Sequence, residues 1–184
     1  SISNIALQKI EDKVLSLYNS TKQTNSAYEQ YEVTHKLCQH YFDYRKDNCE
    51  YYNLCISYAK ACIDLIPKIK LELEERKNTE IEKYKKQLSH YISVGNDTMQ
   101  KIIQNNINSA INGYGFEMPF VYLDFNNLIT IYKETKRISD AVSVCDSAIN
   151  YYSESLSNSR LSAIDKNYKI ETFQKEKEKL EKML

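Results

Sequence analysis

Apolar residues recur at helical spacing over most of the chain. Ile5, Ile10, Val14, Leu17 and Tyr18 share one face of a first helix. The polar run 19–25 interrupts that pattern and reads as a loop. Ser26 and Glu29 then stand in the S-x-x-E relation of a capping box, which predicts a second helix running to about Arg45. Residues 46–48 form a joint, and a third helix covers roughly 49–66. Pro67 lacks an N–H and disfavours helical geometry at Ile66, so the helix is expected to end or kink there. The charged run 70–86 reads as a linker or a solvated helix. A second capping box, Thr79 with Glu82, places a helix start near Thr79, and Ile81, Tyr84, Leu88, Tyr91 and Ile92 continue its stripe. Gly95, Asn96 and Asp97 break the chain, with Asp97 the expected N-cap of a helix over 98–112. A loop over 112–119 follows, and Pro119 suits the first turn of the next helix. Near the end, Leu161, Ile164 and Tyr168 make one stripe and Ile170, Phe173, Leu180 and Leu184 another. Such a helix closes the end of a helical array; a coiled-coil seam for a homodimer is the rival reading.

Composition agrees with an all-α chain. Only 3 Gly and 2 Pro occur in 184 residues, too few for the many tight turns of a sheet protein. Apolar residues make up 42% and charged residues 27%, ordinary values for a globular domain. The 16 Tyr fit half-buried helix faces. With 25 basic and 25 acidic side chains the net charge is zero, which gives no pull toward nucleic acid or an anionic membrane. No apolar run approaches a membrane span, and the first residues lack the pattern of a secretory signal. The first residue is Ser, which fits either removal of an initiator Met or excision from a longer chain. The odd count of 5 Cys in helical surroundings is unlike a disulfide framework, so free thiols and a cytoplasmic location are expected.

The stretch 125–149 carries the most specific pattern. Phe125, Leu128 and Tyr132 stand at i, i+3, i+7, and Ala141, Cys145 and Ala148 at i, i+4, i+7 beyond a polar joint. Large residues on one helix facing small ones on the next let two helices approach closely. This resembles a tetratricopeptide repeat, a helix–turn–helix unit of 34 residues. With Tyr122 as the first position, the unit covers about 122–155. Phe125 takes the usual Trp position, Leu128 the Leu, Tyr132 the first Tyr, and Ala141 and Ala148 the two Ala. Ile138 fills the aromatic position at the joint and Cys145 the aromatic position between the two Ala. Ile129 stands where Gly is usual, Lys136 at the turn Gly and Ser153 at the closing Pro. Elsewhere the likeness is degenerate: Leu54, Tyr58 and Ala61 match positions of a second helix, and Leu88, Ile92, Met99 and Ile103 fit a longer pair.

The resemblance implies antiparallel helix pairs stacked as an α-solenoid of about seven or eight helices, in one domain over 1–184. It also implies a concave groove that binds a protein or an extended peptide. The groove positions fall on Leu123, Asn126, Asn127, Thr130 and Lys133. An Asn amide can donate to and accept from a peptide backbone, and Lys133 can hold a carboxylate.

Candidate chemistry is sparse. Glu32 and His35 form half of a di-iron motif, but Gln87 and His90 are its nearest second copy and Gln is a poor ligand. His35 and Cys38 share a helix face and need two more ligands for zinc, which no paired motif supplies. No Gly-rich phosphate loop and no nucleophile elbow occurs. The expectation is a non-enzymatic binding module without metal or cofactor, in regulation for example. A helical-bundle enzyme using Glu32, His35 and Cys38 is the more distant alternative.

Overall fold

A computed structural model describes residues 2–21, 23–154 and 163–184. Among them are eight helices and no strand: α1 (Asn4–Thr21), α2 (Ala27–Asp43), α3 (Tyr51–Asp64), α4 (Ile66–Ser93), α5 (Asp97–Ile111), α6 (Tyr122–Glu134), α7 (Ile138–Ser153) and α8 (Ala163–Glu181). No helix among the described residues is long and apolar enough to cross a membrane. Each helix packs on its neighbour in sequence for α1–α2, α2–α3, α4–α5, α6–α7 and α7–α8, and α3 packs on α6.

Start signals behave as physical chemistry requires, with two corrections. Ser26 Oγ accepts the Glu29 N–H at 3.2 Å, as expected for a cap. Glu29 does not complete the box; its carboxylate accepts the Thr24 hydroxyl at 2.9 Å. The remaining N–H groups of α2 are met from α4, where Glu72 accepts from Ala27 at 3.0 Å and Tyr28 at 3.1 Å. A carboxylate on exposed N–H groups at a helix N-terminus is favoured by charge as well as by hydrogen bonding.

Pro67 marks the expected break: α3 ends at Asp64, α4 begins at Ile66, and Pro67 lies in the first turn of α4, where its missing N–H costs nothing. The first correction concerns α4 itself: no helix starts at Thr79, because α4 runs through it for 28 residues. Strong helix formers precede Thr79, and Lys77–Glu74 at 2.8 Å and Arg76–Glu72 at 3.5 Å span its turns. The second is the cap of α5. Asn96, not Asp97, accepts the Met99 N–H, at 3.1 Å, and Asp97 occupies the first turn.

Helix ends share one device. At α4 the Asn96 N–H reaches Tyr91 O at 3.0 Å and the Gly95 N–H reaches Ile92 O at 3.2 Å. At α5 the pairs are Tyr114 to Ser109 at 3.0 Å and Gly113 to Ala110 at 2.9 Å. At α6 they are Arg137 to Tyr132 at 2.7 Å and Lys136 to Lys133 at 3.1 Å. All three are Schellman closures, which need a left-handed residue. Gly95 and Gly113 supply it at φ 66 and 84, and Lys136 adopts φ 59 against its own Cβ. Lys136 is the position the sequence pattern assigns to a turn Gly.

Two helix pairs carry the same buried pattern. Phe125, Leu128 and Tyr132 of α6 are buried, as are Ala141, Cys145 and Ala148 of α7. In α2 and α3 the same spacings bury Thr34, Leu37 and Tyr41, and Cys55, Ala59 and Cys62. The expected set Leu54, Tyr58 and Ala61 is therefore one position out of register, and all three are half-buried. Fourteen positions separate Tyr41 from Cys55 but nine separate Tyr132 from Ala141, so a longer joint hides the match.

In α8, Phe173 and Leu180 are buried in the common core while Tyr168 and Leu184 are exposed. Leu161 and the side chain of Ile164 lie outside the described residues, as does part of the loop expected over 19–25, which α1 shortens by running to Thr21. The distal part of α4 and α5 stand apart: α5 packs on α4 alone among the described helices, through Ile103, Ile107 and Ala110.

Lys136→Gly relieves the left-handed strain and is expected to stabilise the chain by about 1 kcal/mol, net of the extra entropy of Gly. A thermal melt should rise by roughly 2–4 °C; an unchanged or lower midpoint contradicts the left-handed turn. Ala148→Leu overpacks the α6–α7 contact and should cost about 1–3 kcal/mol in the same measurement. A melt indistinguishable from the parent would remove close helix approach as the reason for small residues there.

Candidate functional site

From the N-cap Val121 into α6, Val121, Asp124, Phe125, Leu128, Ile131 and Tyr132 all face inward at helical spacing. One of them is an acid. Asp124 has no exposed surface, and its carboxylate lies where α2, α3 and α6 meet. Oδ2 accepts the Tyr31 hydroxyl at 2.5 Å. Oδ1 lies 2.7 Å from His35 Nδ1; a carboxylate only accepts, so this nitrogen carries the proton. Tyr31 and His35 are one turn apart on α2, and their rings stack with centroids 5.6 Å apart. The Cys62 thiol of α3 faces the same carboxylate. The candidate donor atoms of His35, Cys62 and Asp124 all lie within 4.8 Å of one another. His35 is the open side of the cluster, its side chain 24% exposed against 0% for Asp124.

The titration behaviour follows from this geometry. The hydrogen bond to Asp124 raises the His35 pKa, and burial opposes it. Burial, reinforced by the Asp124 charge, pushes the Tyr31 hydroxyl and the Cys62 thiol up, so both stay protonated. This is not a nucleophilic triad. There the imidazole stands between thiol and carboxylate; here the carboxylate stands in the centre and the thiol is sealed from solvent.

The residues Glu32, His35 and Cys38 are not brought together. Glu32 is exposed. Cys38 is fully buried and turns to α3, with its Sγ 3.8 Å from Cys55 Sγ. The hydrogen bond its thiol donates to Cys55, together with burial, pushes that thiol far up. Cys62 and Cys145 are also buried, the latter pushed up to about 12 by burial, and Cys49 alone of the five is exposed. His35 finds its partners on α6 and α3 instead. The sequence did carry a signal for Asp124, an acid on an otherwise apolar i, i+3, i+4, i+7 stripe.

The five expected groove positions divide. Leu123, Asn126, Thr130 and Lys133 form one stripe at i, i+3, i+7, i+10, from half-buried to exposed. The Thr130 hydroxyl donates to Asn126 O at 2.9 Å. Lys133 Nζ already has a carboxylate, Glu176 of α8, at 2.8 Å. Asn127 departs from the expectation: one residue from Asn126, it is rotated by about 100°, only 3% exposed, and its Nδ2 donates to Gln39 of α2 at 3.1 Å. It joins α6 to α2. A separate hollow of about 310 Å³ between α3, α6 and α7 is lined by Lys60, Asp64, Asp140, Ser143 and Ser147 among others, and no His or Cys lines it.

The sign of one pH effect is fixed by the cluster. His35 binds its proton more tightly folded than unfolded, so its stabilising contribution is full below the ordinary value of 6.5 and is lost as pH rises through the raised folded value. His40 works in the opposite direction, because burial lowers its pKa. Comparison with His35→Gln isolates the first effect. The melting-temperature gap between parent and variant, measured with chelator present, should be widest below about pH 6 and narrow toward about pH 8. A gap that widens as pH rises reverses the assignment.

Compared with known protein families, with curated proteins and with solved structures, the chain matches none.

Proposed function

We propose that this chain is a tetratricopeptide-like scaffold of antiparallel helix pairs that binds a protein or an extended peptide. The observation that carries the reading is the repeated buried pattern. Thr34, Leu37 and Tyr41 with Cys55, Ala59 and Cys62 duplicate the arrangement of Phe125, Leu128 and Tyr132 with Ala141, Cys145 and Ala148. Stacked pairs of this kind spend their apolar faces on one another and leave polar faces free along an extended surface. The stripe Leu123, Asn126, Thr130, Lys133 is the contact surface in this reading.

Asn126 is exposed and offers an amide to a peptide backbone. Lys133 meets an acidic group of the ligand by exchanging it for Glu176. That pair is 45% and 25% exposed, and exposed pairs contribute at most about 1 kcal/mol, so the exchange is cheap.

A displayed peptide library panned on the purified chain tests this. Enriched peptides should include an acidic position, and their affinity should fall by about 1–3 kcal/mol in Asn126→Ala with Lys133→Ala. The same double variant should melt within about 0.5 kcal/mol of the parent. Glu176→Ala should tighten binding of the acidic peptides. Failure to enrich any peptide, or full affinity in the double variant, overturns the reading.

A further inference from the structure

We propose that His35 Nδ1, Cys62 Sγ and one oxygen of Asp124 form a zinc site at the junction of α2, α3 and α6. Three side chains far apart in sequence come from three helices, and their donor atoms converge within 4.8 Å. Imidazole nitrogen, thiolate sulfur and carboxylate oxygen together are zinc donors; Mg²⁺ and Ca²⁺ prefer all-oxygen shells of six or more ligands.

Charge balance favours occupancy. A fully buried carboxylate needs a counter-charge. With zinc bound, the dication is matched by the Asp124 carboxylate and the Cys62 thiolate, with His35 neutral, and the centre is neutral as a whole. The balance requires the Cys62 S–H bond to break as the metal–sulfur bond forms, and the proton leaves to solvent. The proton on His35 Nδ1 is released to solvent while Nε2 carries one, kept from the imidazolium or taken from solvent, so the ring stays neutral.

Distances allow it after a small adjustment. Zinc–nitrogen and zinc–oxygen bonds of about 2.05 Å at tetrahedral angles set an edge of about 3.3 Å between the donors. The His35–Asp124 separation is 2.7 Å, so the ring must withdraw by roughly 0.6 Å. His35 is the half-exposed member and the one free to do so. Outer support is in place: Tyr31 holds the second Asp124 oxygen and stacks on the His35 ring. Three protein donors leave the fourth position to water or a ligand on the His35 side, the open-site pattern. This centre is independent of the α6 contact stripe.

Cobalt(II) is the probe. The full chain, stripped with chelator and carrying Cys49→Ser to remove the exposed thiol, is titrated with Co²⁺ and then with Zn²⁺. The expected result is thiolate-to-cobalt charge-transfer absorption that saturates at about one ion per chain and is bleached by zinc but not by Mg²⁺. Tyr31→Phe should weaken the metal by about 10–100-fold through the lost outer hydrogen bond. Cys62→Ala should abolish the absorption. His35→Gln should weaken the metal at least tenfold while melting cooperatively in chelator, which decides the matter even where Cys62→Ala does not fold. Absence of the absorption in the parent overturns the site, as does parental affinity in His35→Gln. Absorption that survives Cys62→Ala but is lost in Cys38→Ala places the metal on the Cys38–Cys55 pair instead and equally overturns it.

Discussion

A carboxylate with no exposed surface, set on the apolar stripe of a helix, constrains everything around it. Moving a carboxylate out of water costs several kcal/mol even after relaxation. Asp124 is compatible with the folded state only where donors surround it. Tyr31 and His35 on α2 are those donors, and the Cys62 thiol of α3 lies within 4.8 Å of the same group. Sliding α2 by one residue would move both of its donors by about 100° around the helix and strand the charge. Apolar contacts tolerate small slips; this contact does not. The register of α2, α3 and α6 is therefore fixed by hydrogen-bond geometry as much as by packing.

Close approach makes that geometry reachable. Cys55, Ala59 and Cys62 on α3 and Ala141, Cys145 and Ala148 on α7 are all fully buried, and each set is small enough to admit a large side chain from the facing helix. A Leu at the place of Cys62 would overpack the contact. Asn127 and Gln39 add a second polar link between α6 and α2 on the same side. At the far end, the fork of Arg45 on Glu134, both bonds at 2.8 Å, ties the segment after α2 to the last turn of α6.

The sequence made the helices legible because periodicity and caps act locally. Ser26, Gly95 and the α6–α7 joint were readable for that reason. What escaped depended on competition or on distance. Thr79 has the right residues for a cap, but the helix-forming run before it prevails. The small-residue register of α3 was misread by one position because the α2–α3 joint is longer than the α6–α7 joint, which breaks the period by which repeats are found. His35 stood out as a candidate ligand with Cys38, its neighbour on one helix. Its actual partners lie on other helices, and no spacing rule within a helix reports a tertiary contact. Asp124 is the residue the sequence reading passed over: an acid on an otherwise apolar stripe is unfavourable alone and requires partners, although their identity is not written in the chain.

One helix carries both features of interest. The inward face of α6 holds Asp124 in the polar centre, and its outward stripe runs from Leu123 to Lys133. A helix of 13 residues, closed by the Schellman turn at Lys136, fixes the angular relation of the two faces. The Lys133–Glu176 pair adds an exposed contact between α6 and α8, worth little beside the buried centre. The buried centre sets where the helix sits, and the exposed stripe inherits its position from it.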